Sequence, residues 1–349
     1  AGFARCYAHV VEEAAGRSGK GGGGVTNPTP TGLFPADIIR AYGWSAIGDG
    51  AGRTIAIVDA YDNPRAESDL ATFSSQFNLP ACTTASGCFK KVNQTGGSRY
   101  PRADAGWALE IALDIQWAHA VAPRATILLV EASSNSFSNL LAAEDYARAN
   151  ADYVSNSWGA SEFSGETGYD AHFTSPSSRS VSFFVAAGDN GLPAEYPPSS
   201  PNVVSVGGTL LTFNGDGSLQ SETGWSSGGG GCSAYEPVPS AQAAFAGYGA
   251  VGCQGMRATP DVALDADPHS GVSVYDSYGY SGKSGWFTVG GTSASSPMWA
   301  GRAAAAGVTV DLGRVYGSSI TYRDITQGNN GASCTVGFDL CTGRGSWLG

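Results

Sequence analysis

The sequence predicts an α/β domain, a parallel sheet with helices on both faces, and three observations predict it. Apolar runs of strand length, such as Thr54 to Asp59 and Val181 to Ala186, alternate with helical spacings along most of the chain. These runs are apolar throughout rather than at every second residue, the pattern of strands covered on both faces. Acids and glycines close several of them, at Asp59 and at Gly188-Asp189-Asn190-Gly191, which puts polar chemistry at the carboxyl ends of strands, where open α/β sheets carry their sites.

Taken in order, residues 1–31 read as a flexible lead-in: a helix-like piece from Tyr7 to Ala15, a glycine run at Gly21 to Gly24 and a Pro/Thr stretch. The body, residues 32–349, reads as a single domain. It opens with a short helix from Phe34 to Tyr42 and the strand Thr54 to Asp59. Leu70, Phe73 and Phe77 give a helix over Ala66 to Phe77, and Phe89 to Val92 a strand. A helix over Ala105 to Ala118, a strand Thr126 to Val130, a helix Phe137 to Ala149 and a strand Tyr153 to Asn156 continue the alternation. Strands Val181 to Ala186 and Val203 to Val206 follow, and Trp286 to Val289 leads into a helix at Gly290-Gly291-Thr292-Ser293.

The chain has 349 residues and a formal charge of −11, which argues against nucleic acid or an anionic membrane as partner. Only 14% of residues are charged and 50 are glycine, about twice the usual ~7% share, so the surface expected is neutral, polar and rich in loops. No run approaches the ~18 apolar residues of a membrane span. Six of the seven cysteines form short-range pairs, Cys82 with Cys88, Cys232 with Cys253 and Cys334 with Cys341. No CxxC or histidine cluster competes for them, so disulfides in a secreted protein are the expectation. Cys6 is left over. The chain starts without Met or a leader pattern, which reads as a processed or trimmed start.

Ser293 is the candidate nucleophile. Two glycines turn the chain tightly ahead of it, and the unpaired N–H groups of the following helix favour a developing oxyanion. A serine needs a base, yet none of His9, His119, His172 and His269 stands in a glycine-bounded helix start. Glu110 and Asp114 offer an alternative. Four residues apart on an otherwise apolar helix, they project from one face about 5 to 6 Å apart. Crowding and desolvation there raise at least one pKa and couple the two titrations. Asp189, in its glycine turn, is a third acid that in its protonated form donates a hydrogen bond to an oxyanion.

With Glu110-xxx-Asp114, Ala187-Gly188-Asp189 and Gly291-Thr292-Ser293-Ala294-Ser295-Ser296-Pro297 in that order, the chain resembles the sedolisin family of serine-carboxyl peptidases. Ser155 to Gly159, Tyr196-Pro197, Ser205 to Thr209, Asp324-Ile325-Thr326 and Gly337-Phe338-Asp339 extend the resemblance from about residue 33 to the end. It implies a subtilisin-like sheet, a triad of Ser293, Glu110 and Asp114, an oxyanion site at Asp189 and Ser293 N–H, an acyl-enzyme and an acid optimum. Asp59 would take a structural part near the triad, and Trp158 and Gly159 would line the cleft where a substrate backbone pairs. One calcium is implied near the C-terminus, held by Asp324, Ile325, Thr335, Gly337 and Asp339, with protein or peptide substrates and a monomeric state.

Three departures from the family stand out: Thr335 where glycine is common, a short segment between Pro297 and Asp324 that questions the packing behind Ser293, and a lead-in too short for a folded pro-region. Two rival readings follow. One is a histidine-dependent subtilisin-like peptidase, the other an inactive binding protein on the same fold.

Overall fold

A computed structural model describes residues 2–11 and 25–349; the glycine run and residues 12–15 of the expected N-terminal helix lie outside the described residues. The centre is an eight-stranded sheet in the order Leu219–Gly224, Val204–Phe213, Ser182–Ala186, Tyr153–Asn156, Thr54–Ala60, Thr126–Ala132 and Phe89–Asn93, with Val262–Asp265 added beside Val204–Phe213. Every pairing is parallel except that of Leu219–Gly224. This is the parallel α/β sheet the sequence predicts, in the subtilisin-like form that the family resemblance implies.

Both faces are covered, and the strands show why. Ile55, Ile57, Ile127 and Leu129 point into one core with Leu70 and Phe73 of the helix Ala66–Gln76, the helix Ala105–Val121 and the helix Thr292–Ala306. Their neighbours Ala56, Val58, Leu128 and Val130 point the opposite way, onto Leu140, Leu141 and Ala147 of the helix Phe137–Asn150. Alternate side chains of a strand face opposite ways, so a run apolar at every position feeds two cores.

Two expectations are corrected. The strand before the serine turn, Lys283–Gly290, is not in the parallel sheet; it pairs antiparallel with Val272–Tyr280 in a separate sheet. The helix expected from Tyr7 is absent in its described part, because Arg5–Cys6 and His9–Val10 are strands paired antiparallel with Trp158–Ser161 and Lys283–Gly290. The doubt about packing behind Ser293 is also resolved: every residue from Thr292 to Ala305 is buried, Gly307 ends the helix in the left-handed conformation, and Arg302 lies 4.0 Å from the Trp347 ring centroid.

The three local disulfides are present, Cys82–Cys88, Cys232–Cys253 and Cys334–Cys341, and Cys6 is unpaired among the described residues. No helix among the described residues is long and apolar enough to cross a membrane.

Candidate active site

Asp104 starts the acid-bearing helix by accepting hydrogen bonds from the backbone of Gly106 and Trp107, a side-chain cap that fixes the register of everything after it. From Trp107 to Val121 each residue is buried, so Glu110 and Asp114 lie at 0% exposure between the sheet and the serine helix. A helix buried all round cannot place acids in water. Burial pushes Glu110 up to about 8, opposed by the Ser293 hydroxyl and by the backbone N–H groups of Ala8 and Tyr7, and Asp189 nearby adds to the rise. Asp114 is raised by burial first, then by the charges of Asp59 and Glu110, and Asp59 by burial, then by Glu110 and Glu131.

The three acids therefore form one desolvated cluster in which the charge of one opposes the ionisation of its neighbours. Among the described residues neither oxygen of Asp59 has a hydrogen-bond partner, nor have Glu110 Oε1 and Asp114 Oδ2. Asp114 Oδ1 accepts from Ser157 Oγ at 2.9 Å, and the same hydroxyl lies 3.5 Å from the Ser293 carbonyl, tying the acid helix to the serine turn. Ser293 is fully buried, with its hydroxyl beside Glu110 but in no hydrogen bond of ordinary geometry.

Asp189 closes the other side. Its Oδ1 accepts from Thr292 N–H at 2.9 Å and Thr292 Oγ1 at 2.7 Å, so the acid is pinned to the first residue of the serine helix. The structure thus brings Ser293, Glu110, Asp114 and Asp189 together. Asp59 joins them as a third member of the buried cluster.

The cleft holds a segment of the chain itself. Arg5 and Cys6 pair with Gly159 and Trp158, and His9 and Val10 with Gly290 and Val289, so the segment adds a strand to each wall. Between these pairings the N–H groups of Tyr7 and Ala8 both donate to Glu110 Oε2, at 3.1 and 2.8 Å. The Tyr7 carbonyl lies where a side chain on Gly291 would be: a Cβ there would meet that oxygen at 1.8 Å and Asp189 Oδ2 at 2.7 Å, and φ is +105°. Only glycine admits the carbonyl at this turn. Sequence reasoning assigned this segment no part in the site; the signal lies in the pairing potential of two sheet edges far away in the sequence.

Of the cleft walls expected from the sequence, Gly159 lines the cleft, while the Trp158 side chain turns into the core and donates its indole N–H to Val58 O at 3.0 Å. Three histidines have partners other than Glu110, Asp114 and Asp189: His119 Nε2 is 2.9 Å from Pro80 O, His172 faces Asp145, and His269 faces Asp267. His9 is the exception, with Nε2 3.0 Å from Asp189 Oδ2.

The residues expected to hold calcium gather on one C-terminal loop. Asp324 Oδ2 accepts from Gly337 N–H at 2.8 Å, and Asp339 Oδ2 from Thr335 N–H at 2.6 Å. Among the described residues no hydrogen bond ends on the carbonyls of Ile325, Thr335 or Gly337. Burial raises the pKa of Asp339 despite donors from Thr335, Thr342 and Cys341. Two carboxylates and unengaged carbonyls are the oxygen donor set a calcium ion takes, so the residues fit the ion.

A model described as the subtilase family matches residues 103–308. Kumamolisin of Bacillus sp. (strain MN-32) is 30% identical over 364 residues, 92% of this chain and 63% of that protein. Sedolisin of Pseudomonas sp. (strain 101) is 25% identical over 369 residues, 91% of this chain and 60% of that protein. The chain thus spans about three fifths of the length of these relatives. Among solved structures, Pseudomonas sedolisin complexed with two molecules of pseudo-iodotyrostatin superposes with a TM-score of 0.78 at 26% identity, covering 91% of this chain and 96% of that one. A cold-adapted subtilisin-like serine proteinase shares the fold at 15% identity, with a TM-score of 0.50 over 80% of this chain and 86% of its own.

Proposed function

The chain belongs to the subtilase family, on its sedolisin branch, and from that premise we propose that it is a secreted serine-carboxyl endopeptidase most active in acid. The observation that carries the reading is the chain's own Tyr7–Ala8 peptide, whose N–H meets Glu110 while the carbonyl before it lies against Gly291 and Asp189.

A substrate bond lying in that position meets each group the reaction needs. Ser293 Oγ attacks the carbonyl carbon as Glu110 takes its proton. The negative charge that develops on the carbonyl oxygen falls between Asp189 and the first turn of the serine helix, whose N–H groups have no partner within the helix. Glu110 then passes the proton to the leaving nitrogen, and the C–N bond breaks to leave an ester on Ser293. Water attacks that ester with Glu110 again as base, which restores the serine. Asp114 and Asp59 take part by sharing the cluster's proton: one charge among three buried acids is tolerated, a second is repelled.

Acidity favours this arrangement in two ways. It limits the buried cluster to the single charge on which Glu110 acts as base, and an Asp189 carboxyl that carries a proton donates to the oxyanion where a carboxylate cannot. The calcium ion, when bound, supplies charge that holds the C-terminal loop to the body; Asp324 and Asp339 would provide carboxylates and Ile325, Thr335 and Gly337 carbonyls.

The test is a pH profile of peptide cleavage by the parent and by Glu110→Gln, with N-terminal sequencing of protein held in acid. An acid optimum lost in Glu110→Gln, and a chain beginning at Ala8 in the parent but not in Ser293→Ala, are expected. An alkaline optimum, or full turnover in Glu110→Gln, refutes the proposal.

A further inference from the structure

We propose that Glu195 selects the substrate, favouring tyrosine immediately before the cut bond and arginine two residues earlier. The inference rests on the peptidase reading above and deepens it to a substrate class.

The chain's own segment supplies the geometry. Tyr7, whose carbonyl lies at the catalytic turn, is only 1% exposed, and its hydroxyl donates to Glu195 Oε2. Arg5 donates to the other oxygen of the same carboxylate, Glu195 Oε1. Residues two apart on an extended chain lie on one side of it, so a single carboxylate can read both. The guanidinium also lies 5.5 Å from the Tyr7 ring centroid, which lets the two side chains support each other.

The pocket is built rather than fortuitous. Glu195 is 5% exposed, and Asn190 Nδ2 holds its Oε1 at 3.2 Å independently of the segment. Its strand, Glu195–Tyr196, pairs with Trp158–Ser161, the same strand that receives Arg5 and Cys6, so receptor and occupant share one three-stranded sheet. Gly159 makes the depth: a Cβ there would lie 2.1 Å from the Tyr7 hydroxyl oxygen and 2.9 Å from the Tyr196 carbonyl. A pocket of this depth takes a phenol, and the carboxylate at its floor takes the phenol's proton donor. Beside it, Arg5 lies along a surface hollow that Ser161, Asn190, Pro193, Ala194 and Glu195 also line.

Phenylalanine fills the same space but leaves Glu195 Oε2 without its donor, and a site built to hydrogen-bond a hydroxyl rejects the analogue lacking it. The experiment uses quenched peptides containing Arg-Ser-Tyr-Ala-His, with serine in place of Cys6, and their Tyr→Phe and Arg→Ala analogues. For the parent, kcat/KM is expected to be about tenfold or more higher with tyrosine than with phenylalanine, and several-fold higher with arginine than with alanine. In Glu195→Gln both ratios should fall to within about twofold of one, and in Gly159→Ala preference should pass to smaller residues. Ratios that survive Glu195→Gln, or their absence in the parent, overturn the proposal.

Binding of the same peptides to Ser293→Ala separates this proposal from the one it rests on. Selective binding lost in Glu195→Gln supports the selector role even where nothing is cut, an outcome that would sink the peptidase reading alone. Binding without selectivity, or none, counts against the selector.

Discussion

Glu144→Gln is expected to stabilise the protein near neutral pH far more than in acid. Glu144 sits on the helix Phe137–Asn150 at 0% exposure, with neither carboxylate oxygen in a hydrogen bond of ordinary geometry among the described residues. Burial pushes its pKa from the ordinary 4.5 up to about 8, opposed by the Asn156 side chain. Below the ordinary value both folded and unfolded chains carry the proton, so pH has no effect through this group. Between there and about 8 the unfolded chain releases a proton the folded chain retains, and stability falls by about 1.4 kcal/mol per pH unit. At pH 7.5 the deficit approaches about 4 kcal/mol. For a chain of 349 residues, an unfolding entropy of roughly 2 cal/mol/K per residue converts this to a Tm shift of about 5 °C. The buried amide introduces its own penalty, but that penalty is the same at both pH values. The readout is therefore the difference between the Tm gains at pH 7.5 and 4.5, measured by calorimetry in a Ser293→Ala background to prevent self-cleavage. Equal shifts at the two pH values would refute the reasoning.

Three further outcomes are expected. Asp114→Asn should lower turnover by several powers of ten while near-UV circular dichroism shows the fold intact; His119→Ala and His172→Ala should retain activity, and a silent histidine variant would restore the subtilisin-type base. Chelation should lower Tm at neutral pH, since a ligand of the folded state at a hundredfold excess over Kd stabilises it by about 2.7 kcal/mol, and Asp339→Ala should melt like the chelated parent; an unchanged Tm on chelation removes the calcium site. Gly291→Ala should lose peptide cleavage entirely, because its Cβ would meet the Tyr7 carbonyl at 1.8 Å at a φ of +105°; wild-type turnover would show that no substrate carbonyl passes there.

The parts of this molecule legible in its sequence are those set by local patterning. Glu110 and Asp114 could be paired because helical spacing fixes which residues share a face, and the apolar runs named the strands because burial on both faces suppresses alternation. The sheet to which an apolar run belongs is a different matter: Trp286 to Val289 has the composition of a central parallel strand yet pairs in an antiparallel hairpin. Tyr7 to Val10 was misread for a related reason. Its extended form comes from the unpaired edges of Trp158–Ser161 and Lys283–Gly290, over 140 residues away, and such tertiary pairing outweighs local spacing. Glu195 carried no signal beyond its place before Tyr196-Pro197, since its partners Arg5 and Tyr7 belong to that same misread segment.

Two pH linkages of opposite sign meet in this chain, and calcium decides which governs. Glu131, Glu144, Glu166 and Glu236 are each pushed up to about 8 with burial as the leading cause, and Asp59, Asp114 and Asp265 are raised by burial as well. Each contributes stability that is complete below its unfolded pKa and lost as pH rises through its folded one, so together they favour acid. The calcium loop works the other way. Asp324 and Asp339 must be ionised to hold a cation, so the stability the ion contributes grows as pH rises. With calcium in excess the two trends are expected to give a stability maximum between the two ranges; with chelator only the first remains, and the maximum should move to lower pH. Differential scanning calorimetry of Ser293→Ala from pH 3 to 8, with and without chelator, measures that displacement. A maximum that stays in place on chelation would mean that Asp324 and Asp339 serve the loop through the backbone hydrogen bonds of Gly337 and Thr335 alone.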